Sequence, residues 1–136
     1  LALAQGERKR FYDLLLHAPA IINILEGPDH VFAFVNERFV ELIPESRAFI
    51  GKTLREAQPE LVDQGIVERI EKVYRTGEPF VGREVAVTFA HEGTLEERYF
   101  TFVYQAIRSA SGAIEGVASF AFDVTVPVVA RKQVEE

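Results

Sequence analysis

The chain has 136 residues, of which 48% are hydrophobic and 26% charged, a size and balance that suit one globular domain around a single core and exclude wholesale disorder. A formal charge of −6 excludes the Lys/Arg surplus on which non-specific nucleic-acid binding depends. Zero cysteines remove disulfides, thiolate nucleophiles and Cys-ligated metals together and suit the cytoplasm. The longest uncharged stretch, Leu14 to Leu25, is interrupted by His17, Pro19 and Asn23 and is too short to insert into a bilayer as a helix; no basic segment precedes an apolar one as in a secretory signal. Methionine is also absent, so the chain reads as a module excised from a longer protein.

From Glu7 to Leu16, Phe11, Leu14 and Leu15 fall at i, i+3 and i+4, which predicts an amphipathic opening helix ended by Pro19. Ile21 to Leu25 and Val31 to Val35 flank the turn residues Gly27-Pro28-Asp29 and read as a hairpin. Asn36 is placed to cap a helix carrying Phe39, Val40 and Ile43 before Pro44, a cap worth about 1 kcal/mol. Thr53 and Glu56 have capping-box spacing and predict a short helix after Gly51. Leu61 to Arg75 sets Val62, Ile66, Ile70, Val73 and Tyr74 on one stripe, which predicts the longest internal helix, with Gly77 as its stop.

Beyond Pro79 the period changes to two. Val85, Val87 and Phe89 alternate with polar or small residues, with Arg83 in the same phase, either snorkelling or presenting a cation. Arg98 to Ile107 and Ala113 to Val124 follow as two more strands, joined through turns at His91 to Thr94 and Ser109 to Gly112. Tyr99, Val103 and Ile107 on one face and Phe100, Phe102 and Tyr104 on the other leave neither side of the sheet polar, so both faces need cover. Pro127 then breaks the sheet and lets a final helix begin.

Few residues here carry obvious chemistry. His17, His30 and His91 are far apart, lack metal-ligand spacing and read as surface or capping residues. Glu96 with Glu97, or Asp123 with Tyr104, would serve as acid/base pairs in a small α+β enzyme of isomerase type. Against that reading, the two glutamates open a strand beside a turn, where solvation is expected. No phosphate cradle, Ser/His/Asp set or metal-binding cluster is present, so no catalytic or metal residue is assigned.

The element order resembles that of the PAS domain: two short strands, a cluster of short helices, one longer helix and three long antiparallel strands. Four stretches are similar to the family's own. They are Val35-Asn36-Glu37-Arg38-Phe39 at the strand-to-helix step, Ile50-Gly51-Lys52-Thr53-Leu54 as the connector, Gln105 to Gly112 as the last hairpin, and Asp123-Val124-Thr125 as the terminal signature. Ala106 stands where the family often has Pro.

This resemblance implies an α+β fold: a five-stranded antiparallel sheet with helices on one face and the N-terminal amphipathic helix flanking it. Residues 1–20 would be that flanking helix, 21–125 the PAS domain and 126–136 the start of an output helix. It further implies that Phe100, Phe102, Tyr104, Val117, Ser119 and Ala121 point into a ligand pocket, although filling a core is the alternative for the aromatics. Phe120 and Phe122 would then face outward, with Phe11, Leu14 and Leu15 packing on that face or on a second subunit, and Asp123 and Thr125 would couple sheet to output. Haem is disfavoured because the long helix lacks His, and a covalent flavin because no Cys exists. The function implied is a sensory module of a signalling protein such as a histidine kinase, homodimeric and relaying to a C-terminal effector domain. A ligand-free dimerisation scaffold is the alternative.

Overall fold

The computed structural model describes residues 2–135. An opening helix α1 (Ala2–Leu16) leads into the hairpin β1 (Ile21–Glu26) and β2 (Val31–Val35). Two short helices, α2 (Glu37–Leu42) and α3 (Leu54–Ala57), and the longer α4 (Ile66–Thr76) come next, with 3-10 turns between them at Pro44–Phe49 and Pro59–Gln64. The long strands β3 (Phe80–His91), β4 (Thr94–Arg108) and β5 (Ile114–Asp123) complete the sheet, and α5 (Thr125–Glu135) ends the chain. The five strands are ordered β2-β1-β5-β4-β3 with every pairing antiparallel. The last strand is therefore central, flanked by the first and the fourth. This is the α+β architecture that the sequence implied.

Local chemistry explains most boundaries. The Thr53 hydroxyl accepts from the Glu56 amide while the Glu56 carboxylate accepts from the Thr53 amide, so both halves of the capping box at α3 form. Three predicted features differ. The stripe from Leu61 to Arg75 is not one helix: Gly65 takes φ +77°, which a continuing right-handed helix forbids, so α4 starts at Ile66 and the preceding residues form a separate 3-10 turn. A bulge between Gly82 and Val85 puts Glu84 at φ +51° and breaks the alternation of β3. Arg83 therefore falls out of phase with Val85 and Val87 and is exposed. Finally, α5 begins at Thr125 rather than after Pro127, which is accommodated in the first turn where its missing N–H costs nothing.

The edge strand β3 is blunted by side chains. Gln64 donates to the Thr88 carbonyl at 2.6 Å and accepts from its amide at 2.8 Å, and the Glu60 carboxylate accepts from the Ala90 amide at 2.8 Å. Both faces of the sheet are covered in part. The inner face packs Phe32, Phe39, Phe49, Val67 and Val73 against Phe100, Phe102 and Tyr104. On the outer face, Leu15 and Leu16 at the end of α1 pack with Ile22, Phe34 and Phe120, while Val128 of α5 is buried.

Candidate functional site

The inner face is organised in rows across the strands. Asn23 of β1 lies opposite Ser119 of β5, and Ser119 lies opposite Tyr104 of β4. The adjacent row is Ile21, Ala121 and Phe102, continued by Gly82 of β3. Small residues at 119 and 121 leave space that the helices do not fill, and a cavity of about 110 Å³ results, while the Phe102 ring lies over Gly82. Its floor includes Phe100, Phe102, Tyr104, Ser119 and Ala121; Val117 is buried beside it in the core without lining it. Its roof comes from α2, α3, the 3-10 turn and α4, with Gln58 entering from the C-terminal end of α3.

The cavity contains four polar side chains and no Asp, Glu, Lys, Arg or His. Asn23 is 7% exposed and Gln58 6%, yet neither side chain makes a hydrogen bond to any described residue; the same holds for Ser119 and the Tyr104 hydroxyl. Burial raises the Tyr104 phenol well above its ordinary range, outweighing the nearby Arg69 charge, so it stays protonated and able to donate. Sequence reasoning missed Asn23 and Gln58. Asn23 had a signal, being the lone polar residue inside Ile21-Ile22-Asn23-Ile24-Leu25; Gln58 had none.

A second groove of about 330 Å³ shares Ile21, Leu42 and Ala121 with the cavity as walls and ends at Arg98, Phe122 and Asp123. Asp123 accepts from the Arg98 guanidinium at 2.9 Å and from the Thr125 amide at 3.0 Å. Burial opposes ionisation of Asp123, but the bonds from Thr125 and Arg98 outweigh it and hold the carboxyl below its usual value. The Thr125 hydroxyl does not cap α5. It accepts from the Tyr99 amide at 2.9 Å, and the Val124 amide donates to the Tyr99 carbonyl at 2.8 Å, so the end of β5 is tied across to β4. α5 then lies back over the sheet. Arg131 donates twice to the Glu84 carboxylate, at 2.9 and 2.7 Å, and Lys132 donates to the Tyr99 hydroxyl at 2.9 Å. Neither anchor leaves a sign in the sequence: the first depends on the β3 bulge at Glu84, the second on α5 reaching Tyr99 of β4.

On the outer face, Leu15 packs with Phe120, whereas Leu14 is 65% exposed and Phe122 52%; the Phe11 side chain lies outside the described part of the chain. His30 departs from its expected place. It is buried at 4% exposure, edge-on to Tyr74, with neither ring nitrogen hydrogen-bonded, because it closes the β1–β2 turn at φ +55° beneath α4. His17 meets Glu37 at 2.9 Å and His91 approaches Glu45 at 4.0 Å, both pairs being partly exposed. Among the described residues no group of three or more His, Asp or Glu is placed to hold a metal, and no helix is long and apolar enough to cross a membrane.

Asn36 is fully buried and does more than cap. Its side-chain oxygen accepts from the Ile22 and Phe39 amides at 3.0 and 3.1 Å, and its amide donates to the Leu15 and Ala20 carbonyls at 3.0 and 2.8 Å. One side chain thus fastens the end of α1, the start of β1 and the start of α2.

Comparison with known proteins agrees with this architecture. An RNA-binding light-oxygen-voltage receptor superposes with a TM-score of 0.71 at 18% identity, over 98% of this chain and 36% of that one. VqmA bound to DPO gives 0.67 at 20% identity, over 85% of this chain and 57% of VqmA. A sensory box sensor histidine kinase from Vibrio cholerae gives 0.61 at 23%, over 91% of this chain and 97% of that chain. The chain thus spans little more than a third of the receptor and just over half of VqmA. A family model described as the PAS fold matches residues 15–128, and the chain accordingly belongs to the PAS family.

Proposed function

We propose that this PAS domain is the sensory module of a larger signalling protein, binding a small molecule in the inner cavity and relaying occupancy through Asp123 and Thr125 into α5 and a C-terminal effector. The observation that carries the reading is a buried cavity whose polar side chains have no partner within the protein. Amides that face the cavity with no partner in the protein are free to bond a ligand that displaces water there. The relay is short. Phe100 lines the cavity and pairs in register with Asp123, while its neighbour Tyr99 holds Thr125, Val124 and Lys132. A displacement of Phe100 is therefore felt at every anchor of the joint except Glu84. A cavity of about 110 Å³ is small beside the roughly 300–1,000 Å³ of drug-sized sites, which supports a compact ligand over haem or flavin. VqmA bound to DPO and the histidine kinase support a signalling parent. The lining, with Tyr104 as its one titratable side chain, suits binding, which supports the sensory reading.

The second reading is a ligand-free dimerisation scaffold. It rests on Leu14 and Phe122, large apolar side chains left more than half exposed and suited to a second copy of the chain. Denaturing mass spectrometry of the purified protein, with a thermal-shift screen of small molecules, separates the two. A released small molecule, or a saturable rise in Tm, supports sensing; neither, from a protein that is a dimer in solution, supports the scaffold.

A further inference from the structure

We infer that the cavity selects a small uncharged ring compound whose edge carries a hydrogen-bond donor beside an acceptor, a lactam or lactam-like heterocycle, and that Asn23 and Gln58 read that edge. This rests on the sensory reading above and adds the class of ligand. Charge is settled by the walls. The only titratable group among them is the Tyr104 phenol, so a carboxylate or ammonium would surrender its hydration without meeting a countercharge. Size follows from volume: a cavity of about 150 Å³ accommodates benzene, and 110 Å³ here suits a single ring of comparable bulk before the walls move.

The polar pattern sets the functional groups. Asn23, Ser119 and Tyr104 lie side by side on three neighbouring strands, and at about 4.8 Å between strands they form a polar stripe roughly 10 Å long. The rows on either side, Leu25 with Val117 and Ile21 with Ala121, are apolar. Gln58 faces the cavity from the helical side. A primary amide both donates and accepts, and the group that satisfies both functions at once is another amide-like edge. Phe39, Phe89, Phe100 and Phe102 supply the flat apolar surfaces that a planar ring stacks against.

The free state of these two amides is specific to the cavity. Elsewhere in the same chain, Asn36 makes four hydrogen bonds and Gln64 three, so buried or half-buried amides find partners wherever the fold alone determines them. Asn23 and Gln58 instead line the inner cavity, where neither bonds to a described residue.

The test uses three ring probes of similar bulk, 2-pyridone, benzene and benzoate, titrated into the ¹⁵N-labelled 136-residue chain and followed by NMR. The proposal requires 2-pyridone to bind saturably and at least tenfold more tightly than benzene, with no saturable shift from benzoate. Asn23→Leu and Gln58→Leu should each weaken 2-pyridone tenfold or more and leave benzene within threefold. Circular dichroism checks the fold, and Asn23→Ser stands in if Asn23→Leu fails to fold. Benzene or benzoate binding as well as 2-pyridone, or variants that leave 2-pyridone unaffected, would overturn the ligand class while leaving the cavity a binding site. If none of the three perturbs the folded protein, the ligand class is overturned, while the sensory reading stands or falls on the mass spectrometry and thermal-shift screen.

Discussion

Asn23 and Asn36 lie on opposite sides of the β1–β2 hairpin, both buried, and they behave as opposites. Asn36 has every donor and acceptor of its side chain engaged, holding three elements together. Asn23 has none engaged and borders empty space. A saturated polar group rigidifies the place where it sits, whereas an unsaturated one stores an unmet demand that an outside molecule meets. The first is a structural knot and the second a receptor, although the residue type and the degree of burial are alike.

Substitution at the two positions should sharpen the contrast most. We expect Asn36→Ala to cost about 3 kcal/mol in urea unfolding, because four backbone groups lose their partner and a lost cap alone is worth only about 1 kcal/mol. Asn23→Leu should be neutral or stabilising by up to about 1 kcal/mol, since it removes an unsatisfied amide from an apolar setting. Equal losses at both sites would erase the distinction.

The cavity can also be closed without touching its polar groups. A Cβ at position 82 would collide with the far edge of the Phe102 ring, so Gly82→Ala should drive that ring into the space below. We expect a cost of about 1–2 kcal/mol from overpacking together with loss of 2-pyridone binding in the NMR titration; binding that persists would place the ligand elsewhere.

His30 gives a smaller, pH-dependent effect. Burial lowers its basicity; Glu71 and Asp29 pull it back up and Arg55 pushes it further down. The folded state therefore takes up its proton at lower pH than the unfolded chain does. The stability linked to this imidazole is complete above the ordinary value of about 6.5 and is lost as pH falls below it. His30→Asn, which tolerates the positive φ, should flatten the decline of Tm between about pH 6.5 and 5; an unchanged slope would show that His30 does not contribute. The smallest effect is expected at Arg131→Ala. The pair with Glu84 is exposed, so Tm should stay constant, while amide hydrogen exchange quickens across Thr125–Glu135 if that pair helps to pin α5.

Much of the fold was legible because it rests on local chemistry. The capping box at Thr53 and Glu56, the cap at Asn36 and the period-two run after Pro79 are all signals confined to a few residues. What escaped depends on contacts distant in sequence or on one backbone angle. The stripe Val62, Ile66 and Ile70 continues across Gly65, and only its left-handed conformation separates turn from helix. The bulge that misplaced Arg83 and aimed Glu84 at Arg131 leaves no periodic trace. The floor of the cavity was accessible in two steps: alternation grouped Phe100, Phe102 and Tyr104 on one strand and Ser119 and Ala121 on the next, and the family resemblance implied that both groups face inward. The roof was not, since Gln58 reaches the cavity only through the packing of α3 against the sheet.

The side-chain amide resonances of the asparagines and glutamines test the account most directly. On titration with 2-pyridone, the signals of Asn23 and Gln58 should shift saturably and together, while those of Asn36, already fully bonded, should stay in place. Shifts of equal size at Asn36, or none at Asn23 and Gln58 while other residues respond, would contradict the claim that the unpartnered amides of the inner cavity are the receptor.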